Sequence, residues 1–386
     1  MKKVLIVFTA GHLPYSPTTL NLYDSLVPFF DVSIAAFEPH ADFKAEQIND
    51  RKIKYLIPDV SIFDKLFFKM IGQKIALRLR KGPIIKLLNK KDIVLINEIK
   101  KFAGEIIAID YYALWCVKMA KKRAHFVSLE IYEKDIFGVP FVIYAKDLFK
   151  HLIDANIIKS VVIQTEDRYR FLFADKQLPT FFIQNAPFYI DGDIDFNARE
   201  KNNLLFCGSA MPGFGILSCL EFIRDFPEYK LTVKGAILEH IKTVIADNFS
   251  DLIECGRLVL HNDYLNATEL NKFISTFRIG FVFYDFFRFE YINTFNYKTA
   301  PSGKLFQYYN AGIPVVGNNI PGLTIISDKG TGRLVNFLGS RQIKEAIDKI
   351  EQDYLNTANR AKKQSAEYDF KKNVLPFIEF LKSSAN

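Results

Sequence analysis

The chain of 386 residues is long enough for two domains with separate hydrophobic cores. Hydrophobic residues make up 49% of it and aromatic residues 15%, which excludes an intrinsically disordered protein. The net charge of +8 favours anionic partners such as phosphates or lipid headgroups, and no nucleic-acid-binding motif accompanies it, so we expect no nucleic-acid partner.

The sequence also argues against export and against membrane insertion. No apolar run reaches the ~18–20 residues of a membrane-spanning helix. The apolar start MKKVLIVFTAGH is not followed by a signal-peptide cleavage site. The four cysteines have no disulfide or zinc spacing; they are Cys116, Cys207, Cys219 and Cys255. We therefore predict a cytoplasmic protein.

Short apolar segments alternate with helical patterns through the first half of the chain, which is typical of a doubly wound parallel sheet. Helices are predicted from about Pro17 to Pro28 and at Ala113–Lys122, Phe149–Ile157 and Glu166–Phe173. The predicted strands are Val4–Phe8, Val32–Phe37, Lys54–Pro58, Asp92–Asn97, Ala124–Leu129, Ser160–Thr165 and Thr180–Gln184.

The most basic segment, from Lys65 to Lys91, alternates apolar residues with Lys and Arg. Two interpretations fit it. It is either a basic amphipathic surface that meets the inner leaflet of a membrane, or a solvated helix that covers the first domain.

A polar, turn-rich segment from Asn185 to Asn203 marks a domain boundary, and a second α/β run follows it. The stretch from Ser340 to Ser383 is predicted to be mainly helical, with a break around Asp369. The strands predicted in the second run are Leu204–Cys207, Leu231–Lys234, Leu258–His261, Ile279–Tyr284 and Ile313–Gly317.

The stretch NYKTAPSGKLFQYYNAGIPVVGNNIPG, from Asn296 to Gly322, predicts a loop, a helix and a buried strand. Ser302 is a suitable N-cap whose hydroxyl can accept from a first-turn amide, and Gly312 suits the C-terminal end of the helix. Free amides at the helix start, beside Ser302 and Lys304, form an anion site suited to phosphate. An ordinary capped helix explains these features equally well.

The whole string is more specific, and it resembles the donor-site signature of GT-B glycosyltransferases, especially the GT4-like enzymes that build bacterial surface polysaccharides. Two glutamates of that signature are replaced, by Gln307 at the position that faces the ribose and by Thr299 eight residues earlier. The matching residues are Asn296, Tyr297, Lys304, Leu305, Phe306, Tyr308, Gly312, Pro314, Val315, Val316, Pro321 and Gly322.

The resemblance implies an α/β protein of the GT-B fold, with two Rossmann-like, doubly wound domains facing across a cleft. Residues 1–190 would form the acceptor domain and residues 200–365 the nucleotide-sugar donor domain. Residues 366–386 would form a C-terminal helix that packs back on the first domain.

The same resemblance assigns residues of the second domain to a donor site. A glycine loop, Cys207–Gly215, follows the first strand of this domain and would let backbone amides approach the diphosphate, although by itself it predicts only a turn. Basic side chains would neutralise the diphosphate, one tyrosine would stack on the base, and aromatic residues after the fourth strand would touch the donor sugar. The assigned residues are Gly208, Ser209, Lys234, Tyr264, Tyr284, Arg288, Ser302, Gly303, Lys304 and Gln307.

Three residues of the first domain are candidates for catalysis. His12, in the loop Gly11-His12-Leu13-Pro14, has the pKa range of a general base, and Asp110 would orient it; the pair resembles the dyad of inverting GT-B enzymes, in which a GH-x-x-P loop and a later Asp act together. Glu130 follows a predicted strand and would bind the acceptor. The donor signature instead favours a retaining reaction, which needs no such base, and we follow this longer motif.

We therefore predict a metal-independent hexosyltransferase-like enzyme without a cofactor. UDP is the first choice for the donor nucleotide; dTDP and GDP remain open. The acceptor would be a glycan or a lipid-linked glycan, which makes the inner membrane surface a candidate partner. Two alternatives remain, a non-catalytic GT-B partner subunit and a nucleotide-sugar epimerase of the same fold.

Overall fold

The computed structural model describes residues 1–39, 48, 50–56, 90–131, 153, 156–174 and 176–384. Two compact units make up the chain, Met1–Ile183 with Asn373–Asn386, and Gln184–Lys372. Most of the basic segment Lys65–Lys91 and of the predicted helix Phe149–Ile157 lies outside the described residues.

Each unit contains one parallel sheet. The first sheet has the strand order β3-β2-β1-β4-β5-β6-β7, and the second has the order β10-β9-β8-β11-β12-β13. The strands are β1 (Lys3–Phe8), β2 (Asp31–Phe37), β3 (Ile53–Leu56), β4 (Glu105–Ile109), β5 (Ala124–Val127), β6 (Ile158–Ile163), β7 (Thr180–Phe182), β8 (Asn203–Cys207), β9 (Lys230–Lys234), β10 (Leu258–His261), β11 (Ile279–Val282), β12 (Val315–Asn318) and β13 (Gly332–Val335).

Helices connect these strands and cover the sheets. Because each sheet is built outward from its first strand in two directions, the predicted doubly wound α/β architecture is confirmed. The helices are α1 (Pro17–Leu26), α2 (Lys90–Lys101), α3 (Asp110–Met119), α4 (Glu166–Phe173), α5 (Ile216–Asp225), α6 (Glu239–Asn248), α7 (Ser250–Glu254), α8 (Ala267–Ile274), α9 (Phe295–Thr299), α10 (Gly303–Asn310), α11 (Ile325–Asp328), α12 (Ser340–Glu351), α13 (Tyr354–Glu367), α14 (Phe370–Asn373) and α15 (Leu375–Ser383).

The predicted strand Asp92–Asn97 is wrong, because these residues belong to helix α2. Leu95, Ile96 and Ile99 are buried at helical spacing, whereas Ile93 and Val94 are 44% and 37% exposed. A short apolar run fits a buried strand or a helix equally well, and here the helical period decides. The strand that follows helix α2 is β4. Its buried segment EIIAI was not predicted to form a strand.

The C-terminal helix α15 packs on the first unit. Lys2 Nζ donates to the carbonyl of Leu381 at 2.8 Å, and the ring of Phe377 packs edge-on against buried His125. The His125 ring bridges Ser160 Oγ and Glu105 Oε2 at 2.8 and 3.1 Å. These polar groups are paired beneath the helix, as buried groups must be.

Tyr308 fixes helix α10 to the middle of the second sheet. Its fully buried hydroxyl accepts from the amide of Cys207 at 2.8 Å and lies 3.2 Å from the carbonyl of Leu205. Its ring lies so close to Gly280 that a Cβ on this residue would be 2.7 Å from it. The aromatic residue therefore sets the position of the helix relative to β8 and β11.

Replacing Tyr308 with phenylalanine should lower the free energy of unfolding by about 1–3 kcal/mol, because the buried Cys207 amide loses its acceptor. The measurement is chemical denaturation. Tyr55→Phe is the control, since the part of the chain described here offers the Tyr55 hydroxyl no hydrogen-bond partner. Equal stability of Tyr308→Phe and Tyr55→Phe would contradict this role.

Candidate functional site

Three loops lie side by side where β8, β9 and β10 end in the second unit. The amide of Gly208 donates to the carbonyl of Lys234 at 2.7 Å, and the amide of Gly235 donates to that of His261 at 2.9 Å. A Cβ on Gly235 would lie 2.6 Å from the oxygen of Gly208. Both glycines have positive φ, at +115° and +130°, so glycine is needed at each for the close approach.

Helix α10 begins beside this glycine loop. Ser302 is its N-cap, as predicted, but the Ser302 hydroxyl does not accept from a first-turn amide; this part of the prediction is wrong. The carbonyl of Ser302 instead accepts from Leu305 at 3.0 Å in a tight first turn. Among the described residues, the amides of Gly303 and Lys304 have no acceptor. These two donors, at the positive end of the helix, are available to an anion.

Lys304 extends over the glycine loop. A Cβ on Gly208 would lie 2.7 Å from Lys304 Cε. The Lys304 ammonium lies 4.3 Å from the ring centre of Phe206 and 5.0 Å from that of Phe214. No carboxylate in the described part of the chain pairs with this ammonium. Burial lowers the pKa of Lys304 to about 8. A partly buried cation that packs on aromatic faces is ready to receive an anionic ligand.

The two other predicted phosphate ligands already have acidic partners. Buried Lys234 donates to the Asp263 carboxylate at 3.0 Å. Arg288 donates to the Glu221 carboxylate at 2.5 Å, and its Nε lies 3.4 Å from Asp285. Their roles toward a diphosphate stay predictions, and each would require the cation to share its charge with a second anion.

Gln307 lies one turn along α10, on the side of β8. Its Oε1 accepts from the Cys207 thiol at 3.6 Å. Burial raises the pKa of Cys207 to about 11, so this cysteine remains a neutral thiol. The predicted ribose-facing residue is thus next to the glycine loop, although nothing in the structure tests its role.

The remaining predicted donor residues lie on loops at the same edge of the sheet. Ser209 is exposed directly after Gly208, and Tyr264 is partly buried in the loop after β10. Tyr284 is only 8% exposed, and its ring packs against Phe214 and Phe286. Tyr284 is therefore buried in this aromatic cluster. Phe286 and Phe287, which follow it in the loop, are more exposed than Tyr284 and are more accessible to a ligand.

Sequence reasoning missed the aromatic residues that hold Lys304. Phe206 is the penultimate residue of β8, and Phe214 lies near the end of the glycine loop. Two aromatic residues that flank a glycine-rich turn, with a lysine at a later helix start, are the signal that could have found them.

In the first unit, the three predicted catalytic residues follow neighbouring strands. His12 comes after β1, Asp110 after β4 and Glu130 after β5, so all three lie at the carboxyl edge of the sheet. Asp110 was predicted to orient His12, but the described contacts contain no hydrogen bond between the two side chains. Asp110 Oδ1 instead accepts from the amides of Leu129 and Glu130, at 2.8 and 3.1 Å. The carboxylate holds the loop after β5 rather than the histidine.

Burial raises the pKa of Asp110 to about 7, above its ordinary value near 3.8. Both amides donate to Asp110 Oδ1, so the side-chain oxygen of an asparagine can accept the same two hydrogen bonds. A raised carboxyl pKa makes the folded state bind more protons than the unfolded state, and its stability falls as the pH rises from about 4 to 7. Relative to the wild type, Asp110→Asn should therefore gain stability between pH 5 and pH 8.

The measurement is the difference in unfolding free energy between Asp110→Asn and the wild type across this pH range. Asp167→Asn, a change at an exposed carboxylate on α4, is the control and should show no such trend. A constant difference for Asp110→Asn would contradict the raised pKa.

The described residues contain no cluster of three or more His, Cys, Asp or Glu side chains that could hold a metal ion. None of their helices combines the length and the apolar character needed to cross a membrane.

The chain matches no protein-family model and no curated protein sequence. Several solved structures resemble it over nearly their whole length. Anabaena HepE, in complex with UDP and glucose, has a TM-score of 0.63 at 14% identity, with 99% of this chain and 100% of HepE covered. The pneumococcal O-GlcNAc transferase GtfA, in complex with UDP and GlcNAc, has a TM-score of 0.66 at 10% identity, with 99% of each chain covered.

A third similar structure is a UDP-forming α,α-trehalose-phosphate synthase from Burkholderia vietnamiensis. Its TM-score is 0.60 at 11% identity, with 98% of this chain and 99% of the synthase covered. All three are glycosyltransferases of the GT-B fold. Together with the two parallel sheets, these likenesses show that the chain has the GT-B fold.

Proposed function

We propose that this protein is a glycosyltransferase that moves a sugar from a nucleoside-diphosphate sugar to a glycan or lipid-linked glycan acceptor. The observation that carries the proposal is Lys304, a partly buried cation without a described carboxylate partner, beside two available amides at the start of α10. A diphosphate would supply the missing negative charge. The same groups would stabilise the charge that grows on the leaving diphosphate in the transition state.

UDP is the proposed nucleotide of the donor. HepE and GtfA, which share the fold, were solved with UDP and with glucose or GlcNAc, respectively. The lysine and helix dipole would do the work of a metal ion, so we propose a metal-independent reaction. The donor signature supports retention of the anomeric configuration, a hexose donor and membership of the GT4-like enzymes.

The proposed setting is surface polysaccharide biosynthesis at the cytoplasmic face of the membrane, with peripheral attachment. A lipid-linked acceptor would be presented there. The domain assignment proposed for this reaction puts the acceptor in residues 1–190 and the donor in residues 200–365. His12, Asp110 and Glu130 would then serve the acceptor.

A thermal-shift panel of UDP, GDP, dTDP, CMP and ADP tests the proposal. A ligand at ~100 times its Kd stabilises the folded state by roughly 2.7 kcal/mol, which is readily detected. We expect UDP to raise the melting temperature of the wild type. If none of the five nucleotides does so, the proposal fails.

A non-catalytic partner subunit is the second candidate, favoured by the two missing glutamates. Thr299 Oγ1 bonds within its own helix, to the carbonyl of Phe295 at 2.7 Å, and Gln307 lacks a charge. Absence of nucleotide binding, with an intact fold, would favour this candidate.

Gln307→Glu should increase the affinity for UDP and leave that for dTDP nearly unchanged, because a carboxylate bonds the ribose 2′-hydroxyl, which dTDP lacks, more strongly than an amide does. Isothermal calorimetry with both nucleotides measures the ratio of the UDP affinity to the dTDP affinity. Gln352→Glu, at the end of α12 and away from the carboxyl edge of the sheet, is the control for added negative charge. An equal gain for both nucleotides would contradict a bond from residue 307 to the 2′-hydroxyl, and no gain for either would contradict its ribose-facing role.

A further inference from the structure

Helices α2 and α3 pack against each other on one side of the first sheet and leave an unusual outer surface. On α2, Ile93, Val94, Asn97, Lys100 and Lys101 are exposed at helical spacing and form one stripe. The two aliphatic side chains keep 44% and 37% of their surface exposed. Helices of globular proteins usually present polar residues on such a stripe.

The adjacent end of α3 continues this surface. Met119 is 39% exposed, and Lys121 and Arg123 follow it in the turn that leads to β5. Because α2 leads into β4 and α3 into the neighbouring β5, both helices end at the same edge of the sheet. The two helix ends therefore lie close together, and Lys122 Nζ donates to the carbonyl of Phe102, which follows α2, at 3.5 Å.

Charge on this surface has one sign. In the described part of the chain, none of Lys100, Lys101, Lys121 and Arg123 has an acidic partner. The acidic residues of α2 are occupied, since Asp92 is buried and Glu98 pairs with Lys54 at 2.6 Å. We call this surface the α2–α3 face. Its cations are Lys100, Lys101, Lys121 and Arg123, and they surround the apolar side chains of Ile93, Val94 and Met119.

We propose that the α2–α3 face docks on an anionic lipid surface. Lysine ammonium groups bind lipid phosphates while their aliphatic stems and the exposed Ile93 and Val94 enter the headgroup region. Binding to a nucleic-acid backbone would use the cations but not the aliphatic residues. The inference deepens the proposed function and rests on it, because a lipid-linked acceptor is reached from the membrane surface.

Sedimentation with vesicles tests the proposal, with phosphatidylcholine vesicles containing 30% phosphatidylglycerol compared with phosphatidylcholine alone. We expect the wild type to bind only the anionic vesicles. A Lys near an anionic surface contributes about fivefold in binding, so Lys100→Glu/Lys101→Glu should reduce binding at least tenfold. Lys371→Glu/Lys372→Glu, at two exposed lysines of α14, makes the same charge change elsewhere and should reduce it less than threefold.

The aliphatic residues are tested without a change of charge. Ile93→Ser/Val94→Ser should reduce vesicle binding at least threefold. Ile253→Ser/Val259→Ser, at residues that are 43% and 39% exposed in the second unit, should have no effect. If Lys100→Glu/Lys101→Glu and Lys371→Glu/Lys372→Glu weaken vesicle binding equally, binding depends only on the net charge of the protein, and the proposal is overturned. If Ile93→Ser/Val94→Ser binds like the wild type, or if the wild type does not bind, it is overturned as well.

The UDP thermal shift of each variant separates this inference from the proposed function. We expect all four variants to keep the wild-type shift, because their substitutions lie away from the glycine loop and α10. Vesicle binding without a UDP shift would overturn the proposed function alone. A UDP shift without vesicle binding would overturn the docking face alone.

Discussion

Lys304→Met is expected to abolish the UDP-induced thermal shift and to lower turnover by about 10²–10³-fold, the usual loss when one preorganised group that stabilises transition-state charge is removed. Methionine keeps an unbranched apolar chain over Gly208 and between the rings of Phe206 and Phe214, so the fold around it should be retained. The charge is the only major feature that the variant lacks.

The same variant should be more stable than the wild type without ligand. Burial lowers the pKa of Lys304 to about 8, below its ordinary value near 10.5, so the folded state disfavours the charged ammonium. Its stability therefore rises as the pH increases from about 8 to 10.5, and the neutral methionine removes this dependence. A higher melting temperature at pH 7, together with no response to UDP, is the expected combination.

The pH dependence of binding has the opposite sign. An anion binds the charged lysine, so the UDP affinity of the wild type should fall as the pH rises through about 8. Calorimetry between pH 6.5 and 9.5 measures this change. Lys272→Met, at an exposed lysine of α8, is the matched control and should bind UDP like the wild type. Normal UDP binding by Lys304→Met would contradict the role of the lysine.

Gly208→Ala is expected to reduce the UDP affinity at least tenfold. Its new Cβ would lie 2.7 Å from Lys304 Cε, which must move, and the backbone at φ +115° is strained for any residue with a Cβ. Strain of this kind typically costs about 1–2 kcal/mol of stability. Calorimetry and thermal melting measure the two effects.

Gly256→Ala separates strain from loss of the site. Gly256 also has positive φ, at +72°, but a Cβ there would meet no atom within 4 Å. The control variant should therefore melt at a lower temperature and bind UDP normally. If Gly208→Ala and Gly256→Ala lose stability alike and both bind UDP, the approach of Lys304 to the glycine loop has no functional role.

Much of this architecture could be predicted from local patterns. The buried strands of the second unit are apolar runs bounded by turns, and Leu258–His261 was predicted with the observed limits. The start of α10 followed from Pro301, Ser302 and Gly303, since a turn and an N-cap are local features. The position of Lys304 at this helix start was therefore predictable before any tertiary contact was known.

Tertiary contacts decided the features that were missed. The run from Asp92 to Asn97 forms a helix because Leu95, Ile96 and Ile99 find a core at helical spacing. Asp110 bonds two amides of a loop that is 19 residues away in the chain, which no local pattern indicates. The rings around Lys304 likewise come from a different strand and loop.

A crystal structure of the protein with UDP tests the central claim most directly. We predict that the diphosphate lies at the start of α10, within hydrogen-bonding distance of the Gly303 and Lys304 amides and of the Lys304 ammonium. The loop at Gly208 should lie against the same phosphates. UDP bound elsewhere in the second unit, with Lys304 still packed only on Phe206 and Phe214, would contradict the account.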